Sequence, residues 1–208
     1  MSLPNSRIRF VVGIDEAGRG PLAGPVAVGA VVVATEALTN INGNRSVHPL
    51  FKVAKDSKQL SPPRREEIFK FIQAAKKDGT LDFAVSLVSA KVIDEKGIVF
   101  AIRRAIKNCL NKLGVPPHQT LILLDGSLHA PEQFLFQETI IRGDQSEPII
   151  GLASIAAKVT RDQKMLQLAK KYPQFGFEIH KGYGTLFHRK QIKKYGASEI
   201  HRKSFLRG

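Results

Sequence analysis

Residues 11–33, VVGIDEAGRGPLAGPVAVGAVVV, constrain the fold more than any other part of this chain. Two runs rich in Val, Ile and small residues flank Gly-Pro punctuation, which reads as an antiparallel strand pair over 8–14 and 25–34 joined by the GRGPLAG turn. The first run delivers two adjacent carboxylates, Asp15 and Glu16, straight into that turn. Like charges held beside apolar strands are unfavourable unless a cation or solvent compensates them. A solvated turn is the plain reading, because charged side chains mostly stand in water. The competing reading is a ligand pair for a hard metal, and the rest of the chain has to decide between them.

Charge narrows the partner class. Lys and Arg outnumber Asp and Glu by 32 to 18, a formal net charge of +14 over 208 residues. That balance points to a polyanion, nucleic acid before an anionic membrane surface, and selects no activity by itself. No run of eighteen apolar residues and no signal-type segment is present, so the expectation is a cytoplasmic protein with no membrane association. The length suits one domain spanning 1–208. The single cysteine, Cys109, excludes a disulfide framework or a cysteine zinc site, and it falls at an apolar helical position, where packing is its expected role.

The remaining pattern alternates helix and strand. SPPRREEIFKFIQAAKKDG predicts a helix, with Ser61 as N-cap, Pro62 at the first helical position and Gly79 closing the end. LDFAVSLVS reads as a third strand. Residues 98–113 place Ile98, Ile102, Ala105, Cys109 and Leu113 on one stripe and Arg103, Arg104, Lys107 and Lys112 on the other, an amphipathic helix with a basic outer face. TLILLDG is a short buried strand, ETIIR (138–142) a fifth, and residues 149–171 a long helix stopped at Tyr172-Pro173. Thr185 and Gly196 bracket a last short helix. Three early strands followed by helix–strand units imply an α/β fold with a mixed five-stranded sheet flanked by helices.

Four carboxylates fall at strand exits: Asp15 and Glu16 after the first strand, Asp125 after the fourth and Asp144 after the fifth. Ligands gather at strand ends in α/β sheets, so these groups can converge. Clustered carboxylates raise one another's pKa, and a divalent cation relieves them. Oxygen-only ligation suits Mg²⁺ or Mn²⁺ and disfavours zinc. A basic chain with such a cluster suggests phosphodiester hydrolysis, in which one metal activates water and another stabilises the leaving oxygen. Neither a GxSxG elbow nor a Cys/His pair offers a covalent nucleophile. Reading Gly18, Gly20 and Gly24 as a dinucleotide fingerprint fails: the spacing is one residue too long, Pro21 intrudes, and a strand follows where a helix is needed.

The blocks GIDEAGRGPLAGPVAVGAVV, DSKQLS, LLDGS, RGD, ASIAAKVTRD, HKGYGT and HRKSF occur in an order and spacing that resemble bacterial ribonuclease HII, the type 2 ribonuclease H, from about residue 10 to residue 205. The resemblance implies a ribonuclease H-like fold with a C-terminal helical substrate-binding extension over about 172–208. It implies metal-dependent endonucleolytic cleavage of the RNA strand of RNA–DNA hybrids. It also implies incision 5′ of single ribonucleotides embedded in duplex DNA, leaving 3′-OH and 5′-phosphate ends, an activity suited to ribonucleotide removal during repair. The family's four metal-binding, catalytic carboxylates map onto Asp15, Glu16, Asp125 and Asp144. Gly18, Arg19 and Gly20 resemble the element whose backbone reads the ribose 2′-OH, and Tyr183 matches the family's junction-sensing tyrosine. The implied partners are RNA–DNA hybrid and ribonucleotide-containing DNA duplex, with replication or repair proteins as further candidates and a monomer as the expected state.

Ser127 and Gly151 depart from the family pattern at positions that bear on substrate placement and carry no metal. Asp162 is the rival for the fourth carboxylate, but Lys158 four residues earlier on a helix predicts an ion pair for it. Lys58 of DSKQLS is a candidate to place positive charge beside the scissile phosphate. His180, His188 and His201 lack a ligand spacing and are expected to contact phosphate or stand in solvent. A non-catalytic nucleic-acid-binding protein of the same fold is the alternative that charge alone would allow.

Overall fold

The computed structural model describes residues 7–36 and 60–206. A five-stranded sheet runs through it in the order β3-β2-β1-β4-β5, built from β1 (Phe10–Ala17), β2 (Val26–Ala34), β3 (Asp82–Val88), β4 (Thr120–Asp125) and β5 (Phe136–Ile140). β2 lies antiparallel to both β1 and β3, while β4 runs parallel to β1 and β5 parallel to β4. The sheet is therefore mixed, as the strand and helix sequence predicts. Four strands, β1, β3, β4 and β5, end at the same edge, and that edge gathers the carboxylates.

Two features differ from the sequence reading. Pairing of β1 with β2 continues to Ala17↔Ala27, so Asp15 and Glu16 belong to the last turn-ward positions of the strand rather than to the turn. β5 sits two residues earlier than predicted, because Arg142 takes a left-handed conformation (φ 55°) and ends the extended chain.

Helices cover both faces. On one lie α1 (Pro62–Lys77) and the later α5 (Pro148–Lys171), packed on Val11, Val31, Val33, Leu121 and Leu123. On the other, α2 (Ala90–Lys96) and α3 (Ile98–Leu113) cover Val12, Ile14, Val28, Ala30, Ile122 and Leu124. The alternation of β1 residues between the two cores is the period-two pleat of a strand buried on both sides. Ser61 takes the N-cap position of α1 without donating or accepting a side-chain cap bond. α2 escaped the sequence reading: at seven residues it is too short to display a period. Cys109 is buried and accordingly has its thiol pushed up to about 12 by burial.

α5 seats against the sheet through glycine. A Cβ on Gly29 would stand 2.2 Å from the Ala153 carbonyl oxygen, and one on Gly13 would stand 2.5 Å from the Ile149 carbonyl. Helix backbone and strand backbone thus touch, which brings Ser154 and Lys158 of α5 over the carboxylate edge. The short α4 (Gly143–Ser146) leads into it.

Beyond α5 come a 3₁₀ turn (Pro173–Phe175), α6 (Phe177–His180), α7 (Leu186–Tyr195) and a 3₁₀ turn (Lys203–Phe205). The Thr185 hydroxyl caps α7 by accepting from the His188 N–H, and Gly196 ends it, as the sequence predicts. These elements pack a small core of their own, Phe175 and Phe177 against Ala23, Met165 and Ala169. Among the described residues, no helix is long and apolar enough to cross a membrane.

Candidate active site

An open cleft at the carboxylate edge is lined by Asp15, Glu16, residues 17–20, Asp125, Arg65, Ser154, Lys158 and Tyr183. The parallel register explains the first convergence. Ile14 pairs with Leu124, so Asp15 and Asp125 stand one step further along adjacent strands and project from the same face. Glu16 belongs to the opposite face by alternation yet lines the same cleft, with its Oε1 3.6 Å from Arg19 Nη1.

Asp15 is buried (3% exposed) and fixed by two donors: its Oδ1 accepts the Glu16 N–H at 2.7 Å, and the Ser154 hydroxyl also donates to it. Burial, with the Glu16 and Asp125 charges added, overcomes those bonds and pushes its carboxyl up to about 8. Glu16 is raised as well, by burial first; Arg19 opposes that rise and Asp125 adds to it. Asp125 Oδ1 is buried and has no hydrogen-bond partner among the described residues.

This is the electrostatic profile of groups that a cation would relieve. No three His, Cys, Asp or Glu side chains among the described residues form a finished ligand cage. Mg²⁺ does not require one, since it keeps water ligands and binds through one or two carboxylates plus substrate phosphate. Asp15, Glu16 and Asp125 therefore fit a hard divalent ion.

The cost of Asp15 gives a measurable consequence. Its folded pKa lies above the unfolded value of about 3.9, so the folded state holds the extra proton and metal-free stability falls as pH rises from about 4 towards 8. Asp15→Asn is expected to raise the stability in EDTA, by up to about 5 kcal/mol at pH 7.5 and by no more than about 1.5 kcal/mol at pH 5. Thermal melts of both proteins at the two pH values check this; an equal difference at both would remove Asp15 as the source.

Asp144 is placed differently from the strand-exit expectation. It lies in α4, fully buried, and does not line the cleft. The β5 exit still adjoins Asp125, which pairs with Ile140, and α4 packs against β4. Lys58 lies outside the described residues. Asp162 makes the ion pair expected of it, 2.5 Å from Lys158 Nζ.

The turn after β1 is set by groups that sequence reasoning missed. Gly18 has φ +86°, and a Cβ there would collide with the Arg161 side chain 1.9 Å away, so both conformation and space demand glycine. Arg161 and Arg202 are fully buried. Arg202 donates from Nη2 to the Gly18 carbonyl (2.7 Å), from Nη1 to Arg19 (2.9 Å) and from Nε to Gly24 (3.0 Å). Arg161 donates from Nε to the Pro25 carbonyl (2.9 Å) and from Nη2 to Lys181 (3.0 Å), and its guanidinium carbon lies 5.9 Å from the Tyr183 ring centre. One signal was available: Arg161 sits at i, i+4 spacing in the stripe Ala153, Ala157, Met165, Ala169, where an unpaired apolar pattern would be expected. Arg65 and Lys158 of the cleft carried no such signal.

Tyr183 is 44% exposed at the rim. Its loop is docked on the turn: the Leu22 N–H donates to the Gly182 carbonyl at 2.8 Å, and a Cβ on Gly182 (φ +88°) would stand 2.4 Å from the Ala23 oxygen. The histidines overturn expectation. His180, His188 and His201 are buried together among Phe175 and Phe177, because the C-terminal core needs polar rings to satisfy the main chain of the turns it covers.

A family model described as Ribonuclease HII matches residues 12–207. A ribonuclease HII from Caldicellulosiruptor bescii is 42% identical over 205 residues, covering 99% of this chain and 90% of that protein. Among solved structures, ribonuclease H2 from Pyrococcus horikoshii OT3 superposes with a TM-score of 0.70 at 30% identity, over 94% of this chain and 93% of that one. A PCNA:RNase HII complex from Archaeoglobus fulgidus contains a chain that superposes with a TM-score of 0.69 at 25% identity, covering 93% and 94%.

Proposed function

This chain belongs to the ribonuclease HII family and is a metal-dependent ribonuclease H that cleaves the RNA strand of RNA–DNA hybrids; from that premise we propose that it also incises duplex DNA 5′ of a single embedded ribonucleotide by a two-metal hydrolysis. The observation that carries this reading is the placement of the Asp15, Glu16 and Asp125 carboxylates in one cleft with the Gly18 turn and Tyr183. Asp15, Glu16 and Asp125 would hold Mg²⁺ or Mn²⁺, and Asp144, buried next to the β5 exit, is proposed as a fourth ligand. When bound, the cations supply an activated water and charge neutralisation at the leaving oxygen.

The chain's own residues do the rest. Arg202 and Arg161 clamp the turn at Gly18 so that its peptide groups, unobstructed at Gly20, can approach a ribose and read its 2′-OH. The exposed Tyr183 ring offers a face for the deoxyribose that follows the ribonucleotide. Arg65 and Lys158 line the cleft and place positive charge where the phosphodiester would lie. The net charge of +14 adds a long-range attraction for the duplex. Ends of 3′-OH and 5′-phosphate follow if water attacks the phosphorus and the bond to the 3′-oxygen breaks, that oxygen leaving as the hydroxyl of the upstream nucleotide while the phosphate stays on the ribonucleotide's 5′-oxygen. The A. fulgidus complex with PCNA supports a replication partner for this chain too. We place the protein in the cytoplasm and read residues 172–208 as a substrate-binding extension of one domain.

The test is a time course on a long RNA–DNA hybrid and on a duplex with one ribonucleotide, each in Mg²⁺, Mn²⁺ or EDTA. Both substrates should be cut in either metal and neither in EDTA. Cleavage of the hybrid alone would remove the single-ribonucleotide activity.

A further inference from the structure

The hydrogen bonds around the three buried histidines fix every ring proton. The Ser198 N–H donates to His201 Nδ1 at 2.9 Å, so that nitrogen carries the lone pair and His201 Nε2 carries the proton. His201 Nε2–H then donates to His188 Nε2 at 3.0 Å. This leaves His188 with its proton on Nδ1, which donates to the Tyr183 carbonyl at 2.9 Å. His180 is set likewise: the Gly182 N–H donates to its Nδ1 at 3.2 Å, and its Nε2–H donates to the Phe175 carbonyl at 2.9 Å. His180 stacks on His188 with ring centres 4.4 Å apart.

The chain of bonds thus starts in the C-terminal segment and ends on the main chain of the cleft tyrosine. The next residue, Arg202, ends on the main chain of the glycine turn. The Leu22 carbonyl accepts the Arg202 N–H at 2.8 Å, and Ala23 forms a bridge with His201, so the dipeptide is itself strapped to that turn.

We propose that His201 and Arg202 act together as a positioning strap, Arg202 holding the glycine turn and His201, through His188, holding the Tyr183 loop, so that the two recognition elements keep one spacing. This rests on Tyr183 being the junction reader. A fixed spacing matters where ribonucleotide and deoxyribonucleotide must be read together, and less on a long hybrid whose sugars beyond the cut are all ribose. All three rings are neutral in this arrangement. Burial together with the His188 neighbour lowers His201 to about 4, and burial first, with His180 and Arg189 nearby, lowers His188. Arg189 on α7, His180 on α6 and the adjoining Arg202 are the charged or titratable groups around the pair.

Two substitutions at His201 separate positioning from bulk structure. Asparagine can accept from Ser198 but falls short of His188; glutamine can donate to His188 but loses Ser198. The ring makes three hydrogen bonds, accepting from the Ser198 N–H (2.9 Å) and hydroxyl (2.8 Å) at Nδ1 and donating to His188 from Nε2 (3.0 Å), so both variants should lower the unfolding midpoint, glutamine at least as much as asparagine. The readout is the ratio of kcat/KM on the single-ribonucleotide duplex to that on the long hybrid, with Tyr183→Ala as reference. Tyr183→Ala should lower the ratio about tenfold, His201→Asn by a similar factor, and His201→Gln by less than about twofold. Equal ratios for the two His201 variants would overturn the strap. An unchanged ratio for Tyr183→Ala would instead overturn the junction reading beneath it. Imidazole ¹⁵N shifts of the unmodified protein at pH 7 give a second test that no folding defect can obscure. His188 as the Nδ1–H tautomer with His180 and His201 as Nε2–H supports the strap; any other assignment for His188 or His201 overturns it.

Discussion

Asp125→Asn is expected to reduce cleavage on the order of a thousandfold, about 4 kcal/mol of transition-state stabilisation, while leaving the fold intact. The substitution keeps the shape of the side chain and removes a charge whose Oδ1 is buried without a hydrogen-bond partner among the described residues. It also removes part of the repulsion that raises Asp15 and Glu16. Metal-free stability should hold or rise. The unmodified protein should gain stability from millimolar Mn²⁺ through binding to the folded state, and the variant should lose most of that gain. Activity, melting in EDTA and melting in Mn²⁺ therefore move in three separable ways. A variant that kept a tenth of the activity would take Asp125 out of the metal site.

Arg202→Met should be the most damaging change outside the carboxylates. Methionine fills much of the same volume, so the loss is that of three donors to the Gly18, Arg19 and Gly24 carbonyls. Leaving buried carbonyls without partners costs about 1–3 kcal/mol each, and partial solvent entry makes about 4 kcal/mol a reasonable total. For a chain of this size that corresponds to a fall in melting temperature of roughly 10 °C. Below that temperature both substrates should be cut more than about tenfold more slowly, since the turn that reads the sugar has lost its support. Arg202→Lys should not restore function, because a single ammonium cannot span three carbonyls. Recovery by lysine would mean that charge, and not the fork, is what the site uses.

The fold was legible where burial imposes a period. β1 and β2 are apolar at consecutive positions because both faces are covered, and their flanking Gly-Pro punctuation marks the turn. α3 and α5 carry enough turns to show their stripes. β5 was misplaced by two residues because an edge strand with exposed Glu138 and Thr139 has little apolar pattern to register against. α2 is shorter than two full periods.

The candidate site was legible as chemistry and less so as geometry. Asp15 and Asp125 could be paired from strand ends alone, because parallel strands in adjacent register bring equivalent positions together. Asp144 follows its strand by four residues, and a strand exit says nothing about how a short helix such as α4 then turns its side chains. Arg161, Arg202 and the histidines were hidden for a different reason. Their partners are largely main-chain carbonyls and N–H groups, from 2 to 184 residues away, which no side-chain motif encodes. Basic residues in a strongly basic chain read as solvated surface until the packing shows which of them are enclosed.

The placement of a sugar-reading turn beside a carboxylate cleft is tested most directly by mapping where a duplex with one ribonucleotide is cut. We expect a single cut on its 5′ side in Mg²⁺ or Mn²⁺, with a 3′-OH and a 5′-phosphate, and no cut when that residue is a deoxyribonucleotide. A cut that persists in EDTA, or ends in a 2′,3′-cyclic phosphate formed by the ribose hydroxyl itself, would contradict the account.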